Sequence, residues 1–170
     1  MNAFLNKAAA ETFSRLLNWS RVFLPSFFLP NEIFGELIEI VTYEVLIGGI
    51  ASYFGTKHIL INQDNQNKEY LYSICFILVV FLTLFFNTFL DINFPSVFLS
   101  SLFFSFFQLE IYSIRVHNYH YSLFRILSSI LSTSIFALIV YFEIFSDLYF
   151  LVPCSSLLIA FLIQQNHKFK

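Results

Sequence analysis

Residues 69–114 read EYLYSICFILVVFLTLFFNTFLDINFPSVFLSSLFFSFFQLEIYSI and contain neither Lys nor Arg. A helix that crosses a membrane needs about 20 mostly apolar residues, so this stretch is long enough for two crossings. The first segment, Leu71 to Leu90, carries no charge, and the second runs from about Phe94 to Val116. The stretch therefore predicts a hairpin of two membrane-spanning helices joined by the short turn Asp91–Pro95.

The nine Lys and Arg residues fall into four clusters that bound three such stretches. The clusters are Lys7, Arg15 and Arg21; Lys57 and Lys68; Arg115 and Arg125; Lys168 and Lys170. Ranges 22–56, 69–114 and 126–167 lack both residue types. Loops that stay in the cytoplasm keep Lys and Arg, whereas translocated loops are depleted of them. The pattern predicts an all-α polytopic membrane protein with six transmembrane helices in three hairpins and both termini cytoplasmic.

The composition agrees with this topology. Mean hydropathy is +0.73, and 12% of the residues are charged, about half of the roughly 25% found in soluble domains. Six spans use nearly all of the chain, so residues 1–170 form a single membrane domain. The basic residues flank apolar segments instead of forming one face, which argues against a nucleic-acid partner. No cofactor motif is present, and His117 and His120 are too few for a metal site.

The other predicted elements follow the same logic. The remaining spans are one that begins near Lys7, one from about Gly35 to Phe54, one from about Tyr121 to Phe142, and a short one from Leu148 to Ile163 that contains Pro153. The connections are the polar internal loop Asn62–Glu69 and the external turns Leu29–Gly35, Asp91–Pro95 and Glu143–Asp147. Within the second span, Gly48, Ser52 and Gly55 share one face, which predicts the close approach of another helix.

Segment one has a polar and an apolar side. At 100° per residue, one sector of about 120° holds Lys7, Glu11, Ser14, Arg15, Asn18, Arg21 and Pro25, and the other side holds Ala9, Phe13, Leu16, Ser20, Phe23 and Phe27. Such a helix either lies flat on the membrane or spans it with its polar side lining a water-filled cavity. A flat helix would move every later basic cluster to the external side. The charge map therefore favours spanning.

An arginine in a span usually faces protein or water and has a partner. Ion pairs between Glu11 and Arg15, or between Arg21 and Glu44 of segment two, are one interpretation. The other is an anion site, since Arg15 and Arg21 with Asn18 between them offer forked donors suited to phosphate or pyrophosphate. Both interpretations stay open. Segment five also has a polar face, and two interpretations of it stay open. Its residues are Arg125, Ser128, Ser129 and Ser132. These residues either line the same cavity or bond to neighbouring helices.

Three short stretches resemble one transporter superfamily. FSRLLNWSR at 13–21 resembles the first helix of the lipid II flippases, which carry Phe-Ser-Arg and a second Arg six residues later. LPNEIFG at 29–35 is similar to a turn of O-antigen and other polysaccharide flippases, and RVHNYHY at 115–121, continuing to Arg125, looks like their basic loop before the fifth helix. All belong to the multidrug/oligosaccharidyl-lipid/polysaccharide exporter superfamily, whose motifs occur here in the same order.

The resemblance implies a function. In that superfamily two six-helix lobes face each other across a cavity, and arginines of the first helix contact the pyrophosphate of a polyprenyl-linked sugar. Carried over, Arg15, Asn18, Arg21 and Glu44 are the expected substrate-binding residues, with Glu11, Glu39 and Arg125 as further cavity residues. The expected role is translocation of a lipid-linked oligosaccharide across the bacterial inner membrane for O-antigen or capsule synthesis, without enzymatic chemistry.

The chain departs from that pattern in two ways. No Arg lies between Arg21 and Lys57, where lipid II flippases carry one, and the sequence matches the amino-terminal lobe alone. It is therefore a truncated frame, a half that pairs with itself, or a half that pairs with a separate partner. The alternative function is a non-transporting accessory subunit of a glycan-assembly complex, or an inactive fragment.

Overall fold

A computed structural model describes residues 2–62, 68–90, 93–117, 120–142 and 144–168. The helices are α1 (Asn2–Phe28), α2 (Asn31–Asn62), α3 (Lys68–Phe89), α4 (Phe94–His117), α5 (Tyr121–Tyr141), the four-residue α6 (Phe145–Leu148) and α7 (Leu151–Lys168). No strand occurs among these residues, so the expected all-α class is confirmed. Residues 63–67, 91–92 and 143, which belong to the predicted loops, lie outside the described residues.

Successive long helices run in opposite directions. Phe136, late in α5, contacts the ring of Tyr149 just before α7, whereas Phe124, early in α5, packs with Ala160 late in α7. The same reversal joins α2 to α3 and α3 to α4. Since α1 lies parallel to α5, the start of α1 and the end of α7 are at the same end of the bundle. This alternation is the one that three hairpins require.

Three helices are long and apolar enough to cross a membrane by length and composition. They are α3, the Phe94–Arg115 part of α4, and α5. In α7 the apolar part, Leu151–Gln165, is shorter, and both α1 and α2 are interrupted by charged residues.

The apolar side chains of α3 lie mostly on the outside of the bundle. Its buried residues form a single stripe, Leu71, Cys75, Val79 and Thr83. Between the polar residues near its two ends, most of the remaining surface is also apolar, and Ile77, for example, is 64% exposed. Extended exposed apolar surface is uncommon on soluble monomers and marks contact with a partner or with lipid.

Helices α2 and α4 pack at very short distance through glycine. A methyl group added at Gly48 would lie 2.8 Å from the backbone oxygen of Ser101 and from the ring of Phe104. At Gly55 it would lie 2.5 Å from the side chain of Leu109. The predicted small-residue face is therefore a real helix contact, and α2 and α4 run parallel along it.

Helix α2 is longer than the segment predicted from hydropathy, Gly35 to Phe54. It has 32 residues and is therefore about 48 Å long, compared with about 30 Å for the hydrocarbon core of a bilayer. The extra turns begin with Gly55 and include the polar run Thr56-Lys57-His58, and all of these residues are helical. Hydropathy marks where a helix is apolar, but the backbone hydrogen bonds continue beyond that point.

A buried carboxylate joins three helices at one end of the bundle. Glu110 of α4 is 1% exposed, and its Oε2 lies 3.2 Å from Nζ of Lys68 at the start of α3. Tyr72 of α3 and Gln164 of α7 also donate hydrogen bonds to this carboxylate. A buried charge is tolerated only when it is paired and hydrogen-bonded in this way.

We expect Gly48→Ala to destabilise the folded protein by about 1–3 kcal/mol, because the new methyl group meets backbone as well as the Phe104 ring. Gly49→Ala is the matched control, since nothing lies within 4 Å of a methyl group there. Unfolding of the purified protein in mixed detergent micelles measures both. Equal stability of the two variants would contradict the close α2–α4 contact.

Candidate functional site

The polar side of α1 faces α5, although α2 follows α1 directly in the chain. The hydroxyls of Ser14 and Ser129 lie 2.6 Å apart. Further along both helices, Arg21 donates from Nε to the Thr133 hydroxyl at 3.2 Å and from Nη2 to Ser132. Helix α1 therefore lies along the length of α5, which agrees with a spanning helix and not with one lying across the bundle's end.

The apolar side of α1 points outward. Phe13, Leu16, Phe23 and Phe27 are all exposed, and Phe27 reaches 76%. By contrast, Ser14 and Pro25 of the polar side are buried. A helix in water would bury the phenylalanines instead, so this arrangement is the one expected when the surroundings are apolar.

A cavity of about 380 Å³ lies between α1, α2, α4, α5 and α7. All four arginines of the chain line it: Arg15 and Arg21 from α1, Arg115 from α4 and Arg125 from α5. Its acidic residues are Glu11 and Glu44. None of the lysines with described side chains, Lys7, Lys57 and Lys68, is in its wall. With four guanidiniums and two carboxylates, the lining has an excess of positive charge.

Glu44 is buried in the cavity wall and accepts a hydrogen bond from the hydroxyl of Tyr149. Arg21 lies close enough for electrostatic attraction to Glu44. Its own hydrogen bonds, however, go to the hydroxyls of α5. Arg21 therefore bonds to α5 and Glu44 bonds to Tyr149, and the two residues do not form a direct ion pair with each other.

Glu11 pairs with Arg125, not with Arg15. Its Oε2 lies 3.6 Å from Nη2 of Arg125, and its Oε1 accepts a hydrogen bond from Tyr121. Of the two interpretations of Arg15, the ion pair with Glu11 at i, i+4 is therefore not the one that the structure shows. The reason is that α5 offers a cation and a phenol directly opposite Glu11, in a partly buried position where both contacts are stronger than on an exposed helix face.

The other expected cavity residues divide into two groups. Arg15 and Asn18 line the cavity and are exposed, so they lie at its mouth. Among the described residues, Arg15 has no hydrogen bond or ion pair. Glu39 is exposed on α2 and does not line the cavity, which corrects the expectation. Glu39 and Glu44 are five positions apart, a rotation of about 140° on a helix, so they point to different sides of α2.

Several lining residues were not predicted as part of the site. Arg115, Gln108 and Tyr149 are examples. The sequence does contain a signal for Arg115, because this residue belongs to a basic cluster at the end of an apolar segment. Tyr149 had none, since it is one of nine tyrosines in an aromatic-rich chain. Both interpretations of the α5 serines hold: Ser128, Ser129 and Ser132 line the cavity, and the last two also bond to α1.

Comparison with protein-family models, with curated proteins and with solved structures finds no match to this chain. The function must therefore be argued from the site itself. Guanidinium groups from three helices converge on one space, and each presents a planar fork that suits a carboxylate or phosphate. The lining therefore has donor groups of the kind that anion-binding sites use.

We expect a disulfide to form between cysteines placed at Ser14 and Ser129, in a background where Cys75 and Cys154 are replaced by alanine. The two hydroxyls already lie within hydrogen-bonding distance, and a disulfide needs side chains that close. The matched control pairs Ser14→Cys with Ser134→Cys, because Ser134 is exposed on α5. Mobility of the oxidised protein on a non-reducing gel distinguishes them. Equal cross-linking of both pairs would contradict the packing of α1 on α5.

Proposed function

We propose that the chain is a six-span domain of the bacterial inner membrane, with both termini in the cytoplasm. Three helices support this by length and composition. The outward phenylalanines of α1 and the exposed apolar surface of α3 support it for the bundle as a whole. The alternating helix directions agree with the distribution of Lys and Arg, which gives the cytoplasmic side.

We further propose that the cavity holds the pyrophosphate of a polyprenyl-linked oligosaccharide during its translocation for O-antigen or capsule synthesis. The observation that carries this proposal is the gathering of all four arginines in one cavity, while the described lysines lie elsewhere. Arginine binds phosphate with two parallel hydrogen bonds, whereas lysine acts as a point charge. If the cavity needed only positive charge, lysine would serve there as well as arginine.

The size and the surroundings of the cavity support the same ligand class. A volume of about 380 Å³ lies within the range of small-molecule sites, about 300–1,000 Å³, so a pyrophosphate and adjoining sugar atoms can enter. The exposed Arg15 and Asn18 place the mouth on the outside of the bundle. From there the polyprenyl tail extends along the apolar surface into lipid, and the oligosaccharide stays in water.

Arg15→Gln tests the site without disturbing the fold, because Arg15 is exposed and has no partner among the described residues. In a cell whose surface glycan depends on this gene, we expect about a tenfold loss of glycan or more, since a charge-assisted hydrogen bond contributes about 1.5–3 kcal/mol. Lys57→Gln removes an exposed cation outside the cavity and should leave the glycan unchanged.

Quantitative lipopolysaccharide or capsule gels, with the protein level checked by immunoblot, give the result. Full glycan with Arg15→Gln and Arg21→Gln combined would reject the anion site. It would favour the alternative, a non-transporting accessory subunit, which needs the membrane domain but no ligand in it.

We also propose that a second copy of the chain faces the mouth of the cavity and leaves a lateral opening for the polyprenyl tail. Arg15 and Asn18 of α1 are exposed polar groups at this mouth, beside the exposed apolar side chains of the same helix. Charged groups are costly against hydrocarbon. Two copies facing each other would enclose these polar groups between them, and rocking of one lobe against the other would give alternating access.

Cysteine cross-linking in native membranes tests this arrangement in the background lacking Cys75 and Cys154. We expect Asn18→Cys to give a disulfide-linked dimer of the chain. Ile77→Cys, on the exposed apolar side of α3, should stay monomeric. Dimer formation at Ile77 but not at Asn18 would contradict the proposal, and a cross-link from Asn18 to a different polypeptide would indicate a separate partner lobe.

A further inference from the structure

The guanidinium of Arg125 is buried without its full set of partners. Its side chain is only 11% exposed. An arginine carries five N–H donors, yet the contact to Glu11 at 3.6 Å is longer than a normal hydrogen bond. Its Nε is buried and has no hydrogen-bond partner among the described residues. A buried donor left unpaired is unfavourable, so this group can still gain from an additional acceptor.

Glu11 is held beside this guanidinium by a second contact. The hydroxyl of Tyr121 donates to Oε1 of Glu11, while Oε2 faces Arg125. All three residues line the cavity, and the side chain of Glu11 is 28% exposed. The carboxylate of Glu11 therefore lies within the cavity, at the place where an incoming phosphate oxygen would contact Arg125.

We propose that Glu11 is an internal competitor for Arg125, a built-in anion that a pyrophosphate ligand must displace. This inference rests on the proposed function and concerns the regulation of the same site. In the empty cavity Glu11 partly neutralises Arg125. When pyrophosphate enters, one of its oxygens takes the place of the Glu11 carboxylate at Nη2 of Arg125, and Glu11 keeps its hydrogen bond to Tyr121.

Competition between Glu11 and the ligand would help a transporter to release the ligand. Four arginines in one cavity would hold a pyrophosphate tightly and release it slowly, since most differences in affinity lie in the rate of dissociation. A carboxylate that returns to Arg125 lowers the affinity and speeds release. Glu11 thus lowers the affinity for pyrophosphate, whereas Arg15 and Arg21 attract it.

Binding of inorganic pyrophosphate to the purified full chain in detergent micelles tests this, by isothermal titration calorimetry at fixed pH and salt. We expect Glu11→Gln to bind about fivefold tighter than the unchanged protein, the size of effect that a partly exposed ion pair can have. Glu11→Asp, which keeps the charge but shortens the side chain, should tighten binding less. Glu39→Gln removes a negative charge outside the cavity and should change nothing.

Removal of any nearby negative charge strengthens anion binding, so the deciding comparison repeats Glu11→Gln in an Arg125→Gln background. There the gain should fall below about twofold, because the competition needs both partners. A gain that persists in full would overturn the inference and leave only a long-range charge effect. Thermal unfolding of each variant confirms that it is folded.

Two further outcomes separate this inference from the proposed function. Pyrophosphate binding that Glu11→Gln does not tighten would overturn the competition and leave the anion site in place. Absence of binding in all forms would overturn both. Geranyl pyrophosphate as a second probe distinguishes the sources of the anion: tighter binding than inorganic pyrophosphate indicates a lipid headgroup, and equal binding indicates the free anion.

Discussion

Guanidinium groups are costly against apolar surroundings, and the arrangement of this bundle agrees with that constraint, since all four arginines line one cavity. An arginine at the centre of a span costs about 2.5–3.5 kcal/mol on insertion scales. Helix α1, for which we propose a span, carries Arg15 and Arg21, and its Ser14 and Arg21 bond to the serines and threonine of α5. Hydroxyls satisfy the donors but do not fill the space around them. The cavity exists because polar contacts, and not close apolar packing, hold α1 to the other helices.

The contact between α2 and α4 has the opposite character. Gly48 and Gly55 let the two backbones approach closely, and little space remains between them. One side of the bundle is therefore tightly packed, and the other contains the cavity. Glu44 lies on α2 at the boundary, in contact with Tyr149 and near Arg21, so the rigid helix pair also forms part of the cavity wall.

Sequence reasoning predicted elements better than contacts. The apolar segments gave the helices because length and hydropathy are properties of a segment, and the polar sector of α1 gave its inward side. Periodicity states which side of a helix is polar but not which neighbour it meets. The pairing of Glu11 with Arg125 joins residues far apart in the chain, and the local i, i+4 rule gave Arg15 instead. Glu39 and Glu44 belong to one segment, but a rotation of about 140° separates them on α2, so only Glu44 lines the cavity.

The buried carboxylate of Glu110 restricts which substitutions are tolerated at the positions that bond to it. Lys68, Tyr72 and Gln164 all direct donors at it, and they come from two other helices. Loss of Glu110 alone would leave the ammonium of Lys68 without its counter-charge at the edge of the apolar region, and loss of Lys68 alone would leave a buried anion. These positions are tolerable only in matched combinations, so in any lineage that carries this bundle they should covary, with an apolar set as the one simple replacement.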